Sequence, residues 1–374
     1  MKPFKPHKLP IEDLDWQQLA KPIGKANAAL SLYNGLLHAI PNPHVLLSPI
    51  TTQEAVYSSK IEGTQASLSD VFRFEAGESF HPAREGDIGE VINYRRALFE
   101  AEAMLQRIPA IHLNMLKALH EILLSGVRGD NKARGEFRRV QNYISLPGAS
   151  IEEASFVPPS PDAVPAALDS WEKYVNGDSQ ETLVQLAVTH AQFEIIHPFL
   201  DGNGRLGRML IPLFLHIKGL LLKPVFYLSQ YFEAHRPEYY ARLRAITDSS
   251  DWQGWVEFFL KAVMAQAGTN TRKAGEILAL YKRTRETVNS VASPRYASAA
   301  LDALFAKPIL NTNEFMSAAR IQYRSTALSL LNKLTDAGML GILRESAGRA
   351  PAVFIFNELL AITEESENDT KNGK

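Results

Sequence analysis

Twelve residues, His197-Pro-Phe-Leu-Asp-Gly-Asn-Gly-Arg-Leu-Gly-Arg208, gather an imidazole, a carboxylate, closely spaced glycines and two arginines. That set can hold a polyphosphate and transfer one phosphorus centre. His197 offers a proton acceptor near neutral pH. Asp201 can hold a magnesium ion that bridges phosphates, because magnesium takes one or two carboxylates together with phosphate oxygens. Gly202 and Gly204 let the backbone approach phosphate oxygens and adopt positive φ. Arg205 and Arg208 lie three apart, so on a helix their forked donors can reach different phosphates. No Gly-Lys-Ser/Thr follows the glycines, which separates the segment from a Walker A loop.

The flanking elements must position these groups. Leu183, Leu186, Ala187, His190, Phe193, Glu194 and His197 recur at three- and four-residue steps and predict a helix presenting one face. Pro198 ends it, since the residue before a proline is pushed out of helical geometry. Residues Leu206 to Lys218 predict a second, mostly apolar and buried helix. The order helix, glycine loop, helix puts the loop where main-chain N–H groups lack intrahelical partners and the helix dipole adds positive charge. His190, Glu194 and His197 share one helix face at spacings that could bind a metal. The H-E-x-x-H order of a zinc protease is missing, however, and a buried, hydrogen-bonded His190 is the favoured reading.

Two further segments stand out. Thr51 to Thr64 reads as an amphipathic helix ended by Gly63 as a C-cap, with Glu62 as an exposed charge. Alternation from Val140 to Ile144, a Pro147-Gly148 turn and the following Phe156-Val-Pro-Pro159 predict a short hairpin.

The twelve-residue segment resembles the signature of the Fic family, H-x-F-x-(D/E)-G-N-G-R-x-x-R, with every specified position filled. The resemblance is strong over roughly residues 45–260. It implies transfer of AMP from ATP to a Ser, Thr or Tyr hydroxyl of a protein, self-modification included, with release of pyrophosphate. On this likeness His197 is the general base and Asp201 the magnesium ligand. Asn203, Arg205 and the amides of the Gly202, Gly204, Leu206 and Gly207 stretch stabilise the phosphates, and Arg208 grips the γ-phosphate. Ser58-Ser-Lys-Ile-Glu62-Gly63 is similar to the family's inhibitory-helix motif, (S/T)-x-x-x-E-(G/N), in which the glutamate pairs with the second arginine, here Arg208. The resemblance makes Gln141, Asn142, Tyr143 and Ile144 part of a flap that pairs with an extended target segment. It also places Tyr239 and Tyr240 at the adenine. His235 stands where many relatives carry Asn, which departs from the pattern.

The whole chain is expected to be all-α, a Fic-type helical core with a short β-hairpin flap and a C-terminal winged helix. The expected blocks are an N-terminal helical region at 1–90 with the inhibitory helix, a catalytic core at 91–265, a helical linker at 266–292, a winged helix at 293–360 and a disordered tail at 361–374. Within the winged helix, three helical patterns precede a strand at Val353 to Phe356, with Ser325 to Ala337 as recognition helix and Arg344 to Arg349 in the wing. Arg320, Arg324, Lys333, Arg344 and Arg349 could meet DNA phosphates. A rival reading follows, a nucleotide-sensing, DNA-binding regulator. Self-association into a homodimer is a further expectation. Among 374 residues, 40 Lys and Arg face 41 Asp and Glu, and the net charge of −1 argues against global nucleic-acid affinity. The absence of cysteine excludes disulfides and thiol chemistry and fits a cytoplasmic setting. The start lacks an apolar signal core. The longest apolar run, near Met209 to Phe226, is broken by His216 and Lys218, so no membrane span is expected.

Overall fold

The computed structural model describes residues 2–144 and 153–364. Along the chain, the helices are α1 (Trp16–Ala39), α2 (Pro43–Leu46), α3 (Ser48–Ile61), α4 (Leu68–Glu75), α5 (Pro82–Arg107), α6 (Leu113–Leu123), α7 (Val164–Asn176), α8 (Thr182–Ile196) and α9 (Asn203–Ile217). Then come α10 (Ser229–Ala234), α11 (Arg236–Ser249), α12 (Trp252–Val291), α13 (Pro294–Ala306), β1 (Ile309–Asn311), α14 (Thr312–Ala318), α15 (Arg324–Asp336), β2 (Gly341–Arg344), β3 (Val353–Ile355) and α16 (Asn357–Glu364). The all-α expectation holds.

The chain's contacts form two interleaved units, one of residues 1–34, 57–64 and 93–268, the other of 35–56, 65–92 and 269–374. Residues 266–291 of the expected linker belong to α12, one continuous helix that begins at Trp252. Residues 361–364 of the expected tail close α16, and the remainder, 365–374, lies outside the described residues.

In the first unit α8 is the central element. Nearly every side chain from Leu183 to Ile196 is buried, so this is a helix enclosed on all sides rather than one with a single apolar face. It packs against α7 and α9. Two indoles fasten to its backbone: Trp171 Nε1 donates to Thr189 O at 2.9 Å and Trp255 Nε1 to Ala187 O at 2.8 Å. Buried indole N–H groups need such acceptors.

In the second unit α13, β1, α14 and α15 precede a β2–β3 hairpin. The sheet order is β1-β3-β2, antiparallel throughout, with an irregularity between Ile342 and Arg344. Asn311 caps α14 in a reciprocal box with Glu314. Gly348 takes positive φ at the hairpin tip, where Ala347 pairs with Ala350. Leu68, Phe72 and Ala76 of the α4 segment pack with Ile309, Val353 and Leu360 into one apolar cluster. The three helices and the last strand match the sequence reading. Strands of three and four residues, β1 and β2, are too short to show a period-two pattern. No helix among the described residues is long and apolar enough to cross a membrane.

Candidate active site

The site lies in the first unit, at the turn between α8 and α9. His197 caps α8 in the left-handed region, φ 48, where a non-glycine residue is strained. The strain persists because the surroundings fix it. Arg138, itself buried, donates from Nε to His197 O at 2.8 Å, from Nη2 to Ile196 O and Pro159 O, and from its main-chain N to Pro198 O. Nδ1 of His197 lies 3.2 Å from Glu194 O. A carbonyl only accepts, so Nδ1 carries the proton and Nε2 keeps its lone pair. Burial pushes the His197 pKa down to about 4, with Arg138 acting in the same direction and Glu62 and Asp201 against it. The ring is therefore neutral at physiological pH.

The loop has its own latches. The Asn203 amide is engaged with Phe199, accepting from its N and donating to its O, both at 2.9 Å. Asn203 thus closes the turn, with one of its two amide N–H groups spent on Phe199 O. Gly202 takes φ 74 before α9 and donates to Asp201 Oδ1 at 2.6 Å. His120 stacks on Phe199 at 3.8 Å between ring centres. Its Nδ1 accepts from Gly135 N at 2.9 Å, so Nε2 donates to Asp201 O at 3.0 Å. Both bonds need the neutral ring, and burial pushes its pKa down to about 4.

Leu206 N bonds Gly202 O, so the amides of Asn203 and Gly204 at the start of α9 precede the first intrahelical acceptor. Arg205 is almost fully buried, with Nη2 3.5 Å from Asp201 Oδ1. No cluster of three or more metal-ligating side chains occurs among the described residues. Asp201 fits a magnesium ion that draws its other ligands from phosphates and water. Its carboxylate is about a third exposed, and at Gly129 (φ 91) the chain passes so close that a Cβ would stand 3.0 Å from Oδ2.

Arg208 is 2% exposed and fully engaged. Nε donates to Ser58 Oγ at 2.9 Å, and Nη2 donates to Ser58 O at 2.8 Å and to Glu62 Oε1 at 2.7 Å. Burial acts to lower the Arg208 pKa, but Glu62 first, then Tyr239, Glu194 and Tyr240, outweigh it and raise it. Burial likewise acts to raise Glu62, and Arg208 overcomes it, so Glu62 stays ionised. The end of α3 aims this glutamate: Thr64 N bonds Ser59 O and Gly63 N bonds Lys60 O, with Gly63 at φ 101. That is a Schellman ending with Gly63 at the left-handed position.

His190 uses both ring nitrogens, on Gly207 O at 3.1 Å and Tyr239 Oη at 2.9 Å, so it is no metal ligand. Tyr239 is correspondingly packed in the core, 1% exposed and stacked on Phe232 at 4.5 Å. Tyr240 is 44% exposed, with the Arg236 guanidinium over its ring. In the flap, Ile144 N bonds Phe156 O at 2.9 Å and Phe156 N bonds Ile144 O, an antiparallel bridge. Gln141 and Asn142 fasten it, to Pro158 O and Phe199 O, while Tyr143 and Ile144 stay exposed. The expected turn at Pro147-Gly148 lies outside the described residues.

Two residues escaped the sequence reading. Arg138 sits among Arg134 and Arg139 with nothing to mark it as buried. His120 did carry a signal, a histidine on the apolar face formed by Leu116, Leu119 and Leu123.

A buried helix pair, a latched glycine turn and a carboxylate on the second arginine define an all-α protein with an anion-ready helix start. Residues 20–103 match the Fic/DOC family N-terminal description and residues 110–215 the Fic/DOC family, together about half of the sequence. The chain belongs to the Fic/DOC family. It is 29% identical over 172 residues to protein adenylyltransferase Fic of Drosophila grimshawi, covering 45% of this chain and 32% of that protein. With the protein of the same name from Culex quinquefasciatus it shares 26% over 262 residues, 66% of this chain and 46% of the other. The chain thus spans less than half the length of these curated relatives. A Fic family protein from Desulfovibrio desulfuricans G20 superposes with a TM-score of 0.57 at 22% identity, covering 95% of this chain and 98% of the other. Fic-1 from C. elegans gives 0.55 at 20%, covering 72% and 75%. At such identities the likeness is one of fold.

Proposed function

We propose that the chain transfers AMP from ATP to a protein hydroxyl and that Glu62 restrains it. The observation that carries this reading is the Arg208–Glu62 pair at 2.7 Å, set within a filled Fic signature. In the reaction His197 Nε2 takes the proton of a Ser, Thr or Tyr hydroxyl held beside the flap. The hydroxyl oxygen bonds to the α-phosphorus, and the bond from that phosphorus to the bridging oxygen of pyrophosphate breaks. First-turn amides of α9 and Arg205 stabilise the phosphate charge, and Arg208, once freed, grips the γ-phosphate. Magnesium held at Asp201 would neutralise charge on the phosphates. Arg138, Asn203 and His120 act one step back, holding the turn that carries His197 and Asp201.

ATP labelled at the α-phosphate tests this chemistry against ATP labelled at the γ-phosphate, using a Glu62→Gly variant and a cell extract. Protein-bound label from the α-position alone is expected. Label from the γ-position alone would replace AMP transfer with a kinase reaction. The low His197 pKa carries a pH expectation. A base is active when neutral and fails as pH falls through its pKa, so its depressed value leaves the rate of Glu62→Gly nearly flat from about pH 6 to 8. A steep acid limb near pH 6.5, the ordinary histidine value, would contradict the buried geometry.

A second reading concerns residues 294–364. Their order of helix, strand, two helices and hairpin, with sheet order β1-β3-β2, supports the winged-helix assignment. α15 buries Ala327, Leu330, Leu331 and Leu334 and exposes Arg324, Ser325, Ser329, Asn332 and Lys333 on its other face. Polar and cationic side chains of that kind suit duplex DNA. Retention on DNA is expected to fall with salt, and Arg324→Ala with Lys333→Ala to lower the salt slope by about two. Salt-independent retention, or none, would leave the domain a protein-docking module.

A further inference from the structure

Helix α9 carries two notches on the face that bears Arg208. Gly204, Gly207 and Arg208 lie at i, i+3 and i+4, hence side by side. A Cβ at Gly204 would overlap Glu62 Oε1, and a Cβ at Gly207 would overlap Glu194 Oε1. Each glycine therefore admits a carboxylate that an alanine would push away. The first carboxylate is the restraint. The second has no part in the reaction described above, and its Oε1 is buried without a hydrogen-bond partner.

We infer that Glu194 is the alternative acidic partner of Arg208, the positioning residue that holds the guanidinium for the γ-phosphate once Glu62 has withdrawn. The inference rests on the AMP-transfer reading and extends it. A guanidinium as buried as Arg208 cannot lose its counter-charge cheaply. Ser58 offers it a hydroxyl and a carbonyl, dipoles without net charge. Among the groups that act on Glu194, Arg208 is the cation and Glu62 the competing anion, with the Tyr239 and Tyr240 hydroxyls also close enough to interact. With Glu62 seated, burial and then the Glu62 charge lift the Glu194 pKa to about 7 against the pull of Arg208. Withdrawal of Glu62 removes a repelling charge, so Glu194 gives up its proton more readily and can pair with the arginine. The restrained and released states thus exchange one carboxylate for another.

The test uses the full chain in a Glu62→Gly background, with Glu194→Gln, which keeps shape and packing, and Gly207→Ala, which displaces the carboxylate. Steady-state AMP transfer gives kcat and KM for ATP, and equilibrium binding compares ATP with ADP, which lacks the γ-phosphate. Both variants are expected to raise KM for ATP by about tenfold and weaken ATP binding to match, and Glu194→Gln is expected to leave ADP binding and kcat within about twofold. Equal loss for ATP and ADP, or an unchanged KM, overturns the role, since a merely structural residue would not single out the γ-phosphate. If Glu62→Gly itself transfers no AMP, the underlying functional reading fails instead, and the two failures are told apart.

Discussion

His197→Ala is expected to cut AMP transfer by at least about 100-fold, the lower end of what a positioned general base contributes, with ATP binding little changed. The geometry argues for this split. The imidazole is aimed by its Nδ1 contact to Glu194 O and by Arg138 on its own carbonyl, which leaves Nε2 as the acceptor. Alanine removes that acceptor and no donor of the phosphate cradle, because those donors belong to α9. The main chain at 197 already holds φ 48 and is pinned through its carbonyl by Arg138, so the turn should persist. Initial rates with α-labelled ATP in the Glu62→Gly background, beside equilibrium ATP binding, measure both halves. A rate within about threefold of the parent would remove His197 from proton transfer. A collapse of ATP binding would recast it as part of the turn's scaffold.

What could be read from the sequence follows from how local each feature is. The helix–turn–helix frame of the site was legible because Pro198 and the glycines punctuate it within a few residues. The pairing of Glu62 with Arg208 spans 146 positions and was reachable only through the family resemblance. Residues read alone made Glu62 an exposed charge after a Gly63 cap; the cap is there as a Schellman ending, but the glutamate is only partly exposed and paired with Arg208. Tyr239 and Tyr240 are adjacent and chemically identical. Only the packing of α11 sends the first to His190 and leaves the second exposed. Arg138 could not be found, because a buried guanidinium satisfied by main-chain carbonyls has the same sequence appearance as its exposed neighbour Arg139. The grouping of the chain by contacts was not legible for a related reason. Boundaries inferred along the sequence assume that units follow one another, whereas here residues 57–64 join the unit of the active site and residues 65–92 the other. No composition shift marks such an exchange.

Glu62→Gly is expected to raise AMP transfer by roughly 5- to 150-fold, the range of a coupling of about 1–3 kcal/mol between two states. The contact it removes combines a charge-assisted hydrogen bond at 2.7 Å with a buried guanidinium, features that make an ion pair matter. Glu62 is itself 31% exposed, so solvent screening argues for the middle of that range over its top. Fold should survive. Residue 62 lies just past the last turn of α3, and the hydrogen bonds that close that end are made by the main chain of Ser59, Lys60, Gly63 and Thr64. A neutral isostere divides charge from shape. Glu62→Gln can still accept from Arg208 but no longer offers it a charge, so its rate should fall between parent and Glu62→Gly. The sign of the pH effect is also fixed. Burial acts to raise the Glu62 pKa, Arg208 more than offsets it, and the folded value lies below the ordinary one. The contact is then at full strength above the unfolded carboxylate value and is lost only as pH falls through the depressed one. Restraint should accordingly hold steady across neutral pH and relax only in acid. Parent and Glu62→Gly turning over at the same rate, with ATP bound to both, would show that Arg208 is free to leave Glu62 unaided, and the contact would then be a packing feature of the α3 end instead of a brake.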